Sequence, residues 1–234
     1  EQQEAVRVVS SASGFSPFVL FGVTGSGKTE VYLQIMQEVL RKKPENQVLL
    51  LVPEINLTPQ LEERVRERFP DQMVVTLHSA LNDGERARNW LAVHEGRARI
   101  LVGTRLAIFA SFRHLSLVLV DEEHDDSYKS DDGARFSARD LAIKRAQMNA
   151  VACVLGSATP SLETWDKVQK GLYRVLRLSH RAVKEAKLPE IAVVDRRNER
   201  GAVFVSEVRE AVDETLRQGR QVLIFINRRG YAPT

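Results

Sequence analysis

The sequence predicts an α/β fold in which a parallel β-sheet is covered by helices on both faces. Short apolar segments alternate with helical patterns along most of the chain. The apolar segments lack the polar alternation of a half-exposed strand, as at residues 48–52 and 117–120, which is typical of strands buried on both faces. A glycine-rich segment at residues 22–29 also stands between an apolar segment and a helical pattern.

Each element is predicted from the spacing of its apolar residues. After residue 29, Val31, Ile35 and Val39 recur every four residues, as on the buried face of a helix. Pro59 favours the first turn of another helix. We expect the other helices at residues 1–10, 59–69, 83–94, 137–147, 161–170 and 205–218. We expect strands at residues 18–21, 48–52, 73–77, 100–102, 117–120, 151–155, 173–178 and 222–226.

The length indicates one large domain and part of another. With 234 residues and 43% hydrophobic content, the chain can bury a core of that size. We expect the first domain at residues 1–178, and a linker with the beginning of a second domain at residues 179–234. Because the chain opens in a helical pattern and stops soon after a predicted strand, we expect it to be a piece of a longer protein.

The composition is that of an ordinary globular protein, with 28% charged residues. No apolar run approaches the ~20 residues of a membrane helix, so we expect no membrane partner. The single cysteine, Cys153, lies in an apolar run and is expected to be reduced in the core of a cytoplasmic protein. The net charge of +3 arises between residues 177 and 200, and it is too weak by itself to indicate a nucleic-acid partner.

The glycine-rich segment has the G-x-x-x-x-G-K-[ST] form of a phosphate-binding P-loop. Its residues are Gly22, Val23, Thr24, Gly25, Ser26, Gly27, Lys28 and Thr29. The glycines let successive N–H groups point at one anion, and the following helix adds its positive end. Lys28 would reach the β- and γ-phosphates and the Thr29 hydroxyl would hold Mg²⁺. The alternative is a glycine-rich turn with a chance lysine.

An acidic segment follows the predicted strand at residues 117–120. Its first carboxylate, Asp121, stands where a P-loop protein holds Mg²⁺. The next, Glu122, is placed to orient and deprotonate the water that attacks the γ-phosphate. The alternative is a solvated acidic loop, because Asp125 and Asp126 extend the run.

A third motif, Ser157-Ala158-Thr159, closes the next predicted strand. Its hydroxyl groups can hydrogen-bond the acidic segment and report the state of the γ-phosphate. The alternative is a simple strand-to-helix turn in which Thr159 caps a helix that starts at Pro160. The two interpretations are compatible.

Together these three motifs resemble motifs I, II and III of superfamily-two helicases and translocases. Longer segments resemble the primosomal replication-restart helicases of bacteria: residues 51–60, 102–105, 121–129 and 225–233. This resemblance implies a RecA-like P-loop NTPase lobe followed by the beginning of a second RecA-like lobe. It also implies an ATP- and Mg²⁺-dependent 3′-to-5′ DNA helicase that acts in replication restart and primosome assembly at stalled forks.

The resemblance assigns further residues. Gln2 would read adenine, and the alternative is a polar residue on an exposed helix. Glu123, His124, Ser157 and Thr159 would couple the motifs. The residues that would contact DNA are Pro53, Glu54, Thr58, Thr104, Arg105, Tyr128 and Phe136.

Some of these assignments have alternatives, and one segment departs from the family pattern. Arg105 could instead be an internal salt-bridge partner. Phe136 could merely fasten the following helix to the domain, whereas Tyr128 and Phe136 could both stack on bases. Ala134 stands where a third aromatic residue often lies in the family, which weakens the case for coupling through this loop.

The implied partners are single-stranded and forked DNA, primosome proteins and single-strand-binding proteins, for a monomeric motor. The resemblance places zinc ligands and an arginine finger in a region beyond this chain, so we expect little turnover from residues 1–234 alone. Two other functions stay open: a related superfamily-two duplex translocase or RNA helicase, and a nucleotide-gated DNA-binding scaffold that does not unwind productively.

Overall fold

The computed structural model describes residues 1–54, 59–130, 133–180, 191–194 and 204–225. The chain divides into two compact units, Glu1–Ala186 and Lys187–Thr234. The helices of the first unit are α1 Gln2–Ser10, α2 Lys28–Lys42, α3 Pro59–Arg68, α4 Asp83–His94, α5 Ala138–Met148 and α6 Leu162–Gln169. Its strands are β1 Ser16–Gly22, β2 Gln47–Leu51, β3 Val74–Leu77, β4 Ile100–Gly103, β5 Leu115–Val120, β6 Lys129–Ser130, β7 Phe136–Ser137, β8 Ala152–Ser157 and β9 Arg174–Leu178. Short 3₁₀ helices lie at Arg105–Phe109 and Asp126–Tyr128.

Seven strands form one sheet in the order β3-β4-β2-β5-β8-β1-β9, and every neighbouring pair is parallel. The predicted parallel sheet is therefore confirmed. In this order β8 lies between β5 and β1. The segments that follow β1, β5 and β8 consequently leave the same edge of the sheet beside one another, and these are the three motif segments.

Helices cover both faces of the sheet, as predicted. Leu20 and Leu119 point to one face, where they belong to a core that includes buried residues of α1, α2 and α3. Val118 and Leu155 point to the other face, which is covered by buried residues of α4, α5 and the first 3₁₀ helix. The central strands are buried on both sides, so their sequence shows no polar face.

Three helices of the first unit, α4, α5 and α6, begin close to their predicted positions because polar residues cap them. Asn82 and Glu85 form a reciprocal capping box at the start of α4. Ser137 caps α5 and Ser161 caps α6. The suggestion that Thr159 caps the latter helix is wrong, since α6 starts at Leu162.

The second unit contains one described helix, α7 at Ser206–Arg217, in the place predicted. A strand was also predicted at residues 222–226, and this prediction is wrong for residues 222–225, which lie in no strand. Leu223 and Phe225 are 95% and 85% exposed. An apolar run becomes a strand only when another strand pairs with it, and the described part of this unit offers none.

Three small elements were not predicted: the two 3₁₀ helices and the antiparallel pair β6–β7. They are too short to show a hydrophobic period in the sequence. Across the described ranges, no helix combines the length and the apolarity needed to cross a membrane.

Candidate functional site

The P-loop connects β1 to α2 at the carboxyl edge of the sheet. Gly25 and Gly27 both take left-handed backbone angles, with φ of 79° and 86°, which favour glycine. The space around Gly25 is open, with no atom within 4 Å of the position that a Cβ would take. The loop thus has the curled, accessible backbone that a phosphate-binding turn requires.

Gln2 reaches the P-loop from α1. Its side-chain nitrogen donates a hydrogen bond to the main-chain oxygen of Ser26 over 2.8 Å, and a Cβ at Gly27 would collide with the same amide. Gln2 is therefore a neighbour of the loop and not a solvated residue on an exposed helix. Inside the loop the Ser26 hydroxyl is buried and has no hydrogen-bond partner, which indicates a loop shaped for a further polar ligand.

Lys28 opens α2 and turns back over the loop. Its Nζ donates to the main-chain oxygen of Gly22 over 3.1 Å and lies 3.3 Å from Oε1 of Glu122. The lysine thus joins the P-loop to the acidic segment. Thr29, in the first turn of the same helix, is half-buried, whereas Val23 and Thr24 are exposed.

Asp121 follows β5 and is largely buried. Its Oδ1 accepts a hydrogen bond from the Tyr32 hydroxyl over 3.0 Å, and its main-chain nitrogen donates to Leu51 over 2.8 Å. Burial raises the pKa of Asp121, and the negative charge of Glu122 raises it further. A carboxylate in this environment gains from a nearby cation.

The donor set at this position fits Mg²⁺. The Asp121 carboxylate and the Thr29 hydroxyl are hard oxygen ligands, which Mg²⁺ prefers together with phosphate and water. No group of three or more His, Cys, Asp or Glu side chains suited to a metal lies within the described ranges. Asp121 and Thr29 thus offer oxygen ligands of the kind that Mg²⁺ takes when it also binds phosphate.

Glu122 is held in a strained conformation between two motifs. Its φ of 43° is unusual for a residue with a side chain and costs about 1–3 kcal/mol, as is often found at functional sites. Besides Lys28, its carboxylate faces His124, with 3.6 Å between Oε2 and Nδ1. The alternative of a freely solvated acidic loop does not describe this residue.

Glu123 is buried and serves as an anchor. Oε1 accepts a hydrogen bond from the main chain of Ser161 over 2.7 Å, and Oε2 accepts one from Thr164 over 2.8 Å. The side chain of Arg139 lies 3.3 Å from Oε2. Glu123 therefore fastens the acidic segment to the beginnings of α5 and α6, away from solvent.

The third motif contacts the second through His124. Its Nδ1 lies 2.7 Å from the Ser157 hydroxyl and its Nε2 lies 3.4 Å from the Thr159 hydroxyl. The Ser157 hydroxyl also accepts from the main chain of Thr159 over 2.9 Å. The structure thus joins Ser157 and Thr159 to His124, which faces Glu122. The Glu123 side chain points into the core instead, and the coupling itself stays a prediction.

The residues predicted to contact DNA are differently placed. Pro53 and Thr104 are buried, Glu54 is exposed, and Thr58 lies outside the described residues. Arg105 donates to the main-chain oxygen of Lys129 over 3.0 Å, so its observed partner is a carbonyl group and not the internal salt bridge considered above.

The prediction that Tyr128 stacks on bases conflicts with its position. Tyr128 is only 1% exposed, and its hydroxyl donates to the main-chain oxygen of Asp121 over 2.6 Å. Its ring therefore fills the core beneath the acidic segment. Phe136 is half-buried and rests against the same core, which fits the alternative of a fastening role but leaves part of its ring accessible.

Several contacts at this site could not be predicted from the sequence. Tyr32 lies on the buried face of α2, yet its hydroxyl donates to Asp121. Arg139, Ser161 and Thr164 come from two other elements and meet at Glu123. A polar residue in the first turn of a helix is ordinary in sequence, so nothing distinguishes these three before the fold is known.

Known proteins resemble this chain over most of its length. The profile of the DEAD/DEAH box helicases matches residues 1–168. The chain is 47% identical over 222 residues to the replication restart protein PriA of Haemophilus influenzae, which covers 94% of the chain and 30% of that protein. It is 43% identical over 233 residues to PriA of Bacillus subtilis, covering 98% of the chain and 28% of that protein. The chain thus spans about three tenths of the length of these relatives.

Among solved structures, RecG bound to a three-way DNA junction has a similar fold. The TM-score is 0.62 at 22% identity, over 93% of this chain and 28% of that chain. The predicted RecA-like fold is confirmed by this similarity, and the predicted resemblance to replication-restart helicases is confirmed by the two PriA relatives. On the match that spans residues 1–168, this chain belongs to the DEAD/DEAH box helicase family.

Proposed function

We propose that this chain is the ATP-binding lobe of a DNA helicase that acts in replication restart. The observation that carries the proposal is the 3.3 Å contact between Lys28 and Glu122, which joins the P-loop to the acidic segment. Members of this helicase family in general bind nucleotide with Mg²⁺. The PriA relatives, named as replication restart proteins, support the assignment to DNA and to restart.

The P-loop would bind the nucleotide phosphates. Backbone N–H groups of Gly25 to Thr29 and the positive end of α2 favour an anion there. Lys28 now contacts Glu122 and the Gly22 carbonyl, and it would exchange the carboxylate for a more highly charged phosphate. Gln2, which touches Ser26, stands beside the loop where its amide could pair with both N6 and N7 of adenine.

Glu122 would act as the general base once Lys28 has turned to phosphate. Its carboxylate would accept a proton from a water molecule as the water oxygen bonds to the γ-phosphorus. The bond between that phosphorus and the bridging oxygen then breaks, and ADP leaves with the electron pair. Thr29 and Asp121 would hold Mg²⁺, which supplies positive charge to the phosphate oxygens.

The state of the γ-phosphate would pass from Glu122 through His124 to Ser157 and Thr159. The supporting observation is the run of contacts between 2.7 and 3.6 Å that links these side chains. Single-stranded DNA would cross the carboxyl edge of the sheet near Glu54 and Arg105, which are not buried.

The wider assignments rest on the resemblance to the PriA relatives. We infer a monomeric cytoplasmic motor that moves 3′ to 5′ on forked DNA with primosome and single-strand-binding proteins as partners. Residues 179–234 would form the linker and the beginning of a second lobe. The zinc ligands and the arginine finger would lie elsewhere in the longer protein, so residues 1–234 would hydrolyse ATP slowly.

Binding of a fluorescent ATP analogue to residues 1–234 tests the nucleotide site. We expect Lys28→Ala to weaken binding by roughly 10- to 150-fold, because a charged phosphate contact is worth about 1.5–3 kcal/mol. Lys129→Ala is the matched control, since Lys129 is an exposed lysine paired with Asp126, and it should bind as the unaltered chain does. Equal binding by Lys28→Ala and the unaltered chain would contradict the assignment of this loop.

A further inference from the structure

The first 3₁₀ helix, Arg105–Phe109, ends in an exposed aromatic ring. Phe109 is 56% exposed, while Ile108 and Ala110 on either side of it are buried. A single exposed apolar residue needs no explanation. This one differs, because its main chain is fixed and a second aromatic ring lies against it.

Arg145 of α5 fixes the main chain on both sides of Phe109. Its guanidinium donates to the carbonyl oxygens of Ile108 and Ala110, and it lies 4.9 Å from the ring centre of Phe112. A half-buried cation thus holds the main chain before and after Phe109. The position of the exposed ring is consequently set by the fold and not left to a mobile loop.

The second ring belongs to Phe136 of β7. The two ring centres are 5.0 Å apart and the planes meet at 76°, an edge-to-face pair that leaves at least one ring face outside the contact. The bond from Arg105 to the Lys129 carbonyl ties the same 3₁₀ helix to β6, the partner of β7. We call Phe109 and Phe136 the aromatic platform.

Basic side chains lie on the segments that carry the platform. Arg105 begins the 3₁₀ helix, and exposed Arg135 directly precedes Phe136. An exposed aromatic ring on segments that also carry arginines favours a partner with flat bases and phosphates over a purely apolar one. The platform also follows β4, whose carboxyl end lies at the same sheet edge as the three motifs.

We propose that the aromatic platform stacks on a base of single-stranded DNA, with Phe109 as the principal contact and Arg145 as the residue that positions it. This inference rests on the proposed DNA-motor function and adds a contact that the helicase motifs do not include. It also gives Phe136 a shared role, in which its half-buried ring supports Phe109 from the side.

Binding of residues 1–234 to a short fluorescent oligothymidylate at one fixed salt concentration tests the platform. We expect Phe109→Ala to weaken binding by roughly 5- to 150-fold, the range for loss of one stacked base. Phe109→Trp keeps a ring and should bind as the unaltered chain does. Leu106→Ala is the matched control, because Leu106 is 50% exposed on the same 3₁₀ helix, and it should not change affinity.

Photo-crosslinking locates the contact independently of affinity. With an oligonucleotide that carries 5-iododeoxyuridine, the platform predicts crosslinked peptides containing Phe109 or Phe136. Unchanged affinity in Phe109→Ala, or crosslinks confined to other segments, would overturn the platform while leaving DNA binding intact. An unaltered chain that binds ATP but no oligonucleotide would overturn the platform and the proposed DNA contact of this lobe together.

Discussion

Two neighbouring carboxylates, Glu122 and Glu123, lie in opposite environments. The Glu122 side chain is 27% exposed and contacts Lys28 across 3.3 Å. The Glu123 side chain is fully buried against Arg139. The left-handed φ of 43° at Glu122 turns the main chain sharply between them, so that one carboxylate faces the P-loop and the next faces the core.

The same residue type therefore has two different environments within one motif. Glu123 has partners that come from the protein itself, namely Ser161, Thr164 and Arg139. Since those partners are fixed, Glu123 stabilises the fold whether or not a nucleotide is present. Glu122 has a partner, Lys28, that would exchange it for phosphate. The contact between Glu122 and Lys28 would break and re-form as nucleotide binds and leaves, whereas the contacts of Glu123 would stay in place throughout.

The largest stability effect should come from breaking the buried contact. We expect Glu123→Ala to lower the free energy of unfolding by about 3 kcal/mol, because removal of one partner leaves Arg139 partly buried without its carboxylate. This value is at the lower end of the usual range, since Arg139 keeps a second contact with Asp140 at 2.9 Å. Urea denaturation of the chain measures the change.

The control for this variant is Glu163→Ala. Glu163 also faces Arg139, at 3.9 Å, but its side chain is 73% exposed. Exposed pairs of this kind contribute about 0–1 kcal/mol. If both variants lose the same small amount of stability, Glu123 is not an anchor and the contrast with Glu122 fails.

Asp121 is intermediate between these two carboxylates, since it is partly buried and lies near Lys28 of the P-loop. Tyr32→Phe removes the hydroxyl that donates to its Oδ1. We expect a loss of about 1–2 kcal/mol in unfolding free energy, since a buried acceptor loses a donor. Tyr173→Phe, at a half-buried tyrosine on the opposite core, is the control and should change stability less. Equal losses would remove Asp121 from the set of residues held by the fold.

The smallest expected effect is on the reactivity of Cys153, which lies in β8 next to β5. Burial raises the pKa of the Cys153 thiol to about 12, so the thiol stays protonated at pH 8 and should react slowly with a thiol reagent. Because the folded pKa lies above the unfolded one, the thiol has no effect on stability well below pH 9, and unfolding becomes more favourable as the pH rises from about 9 toward 12.

The rate of Cys153 labelling should also differ between variants of the two carboxylates, Glu122 and Glu123. Glu123→Ala should speed labelling at pH 8, because the less stable core opens more often, whereas Glu122→Gln should label as slowly as the unaltered chain. Rapid labelling of the unaltered chain itself would contradict the burial of Cys153.

The strands and the P-loop could be predicted from the sequence because each depends on a local pattern of residues. The strands at residues 48–52 and 117–120 were recognisable because a strand buried on both faces is apolar throughout. The P-loop was recognisable because its glycines and lysine have one chemical purpose at that spacing. The motif segments could be assigned to one sheet edge because parallel strands share a direction.

What the sequence could not provide depends on contacts between distant residues. Glu122 and Glu123 are the same residue type in adjacent positions, and only the burial by α5 and α6 separates them. Tyr128 looked like an accessible ring in a polar loop, yet it fills the core under Asp121. Residues 222–225 show the reverse case, in which an apolar pattern predicted a strand that has no partner among the described residues.

Glu122 is expected to serve the reaction and Glu123 the fold, and the variant Glu122→Gln distinguishes these two roles. In a longer protein that includes the proposed second lobe, Glu122→Gln should reduce DNA-stimulated ATP hydrolysis by roughly 10²- to 10⁴-fold, the usual contribution of a general base. Affinity for the ATP analogue and the free energy of unfolding should stay near those of the unaltered protein. Near-normal turnover in Glu122→Gln, or a loss of stability like that of Glu123→Ala, would contradict this division of roles.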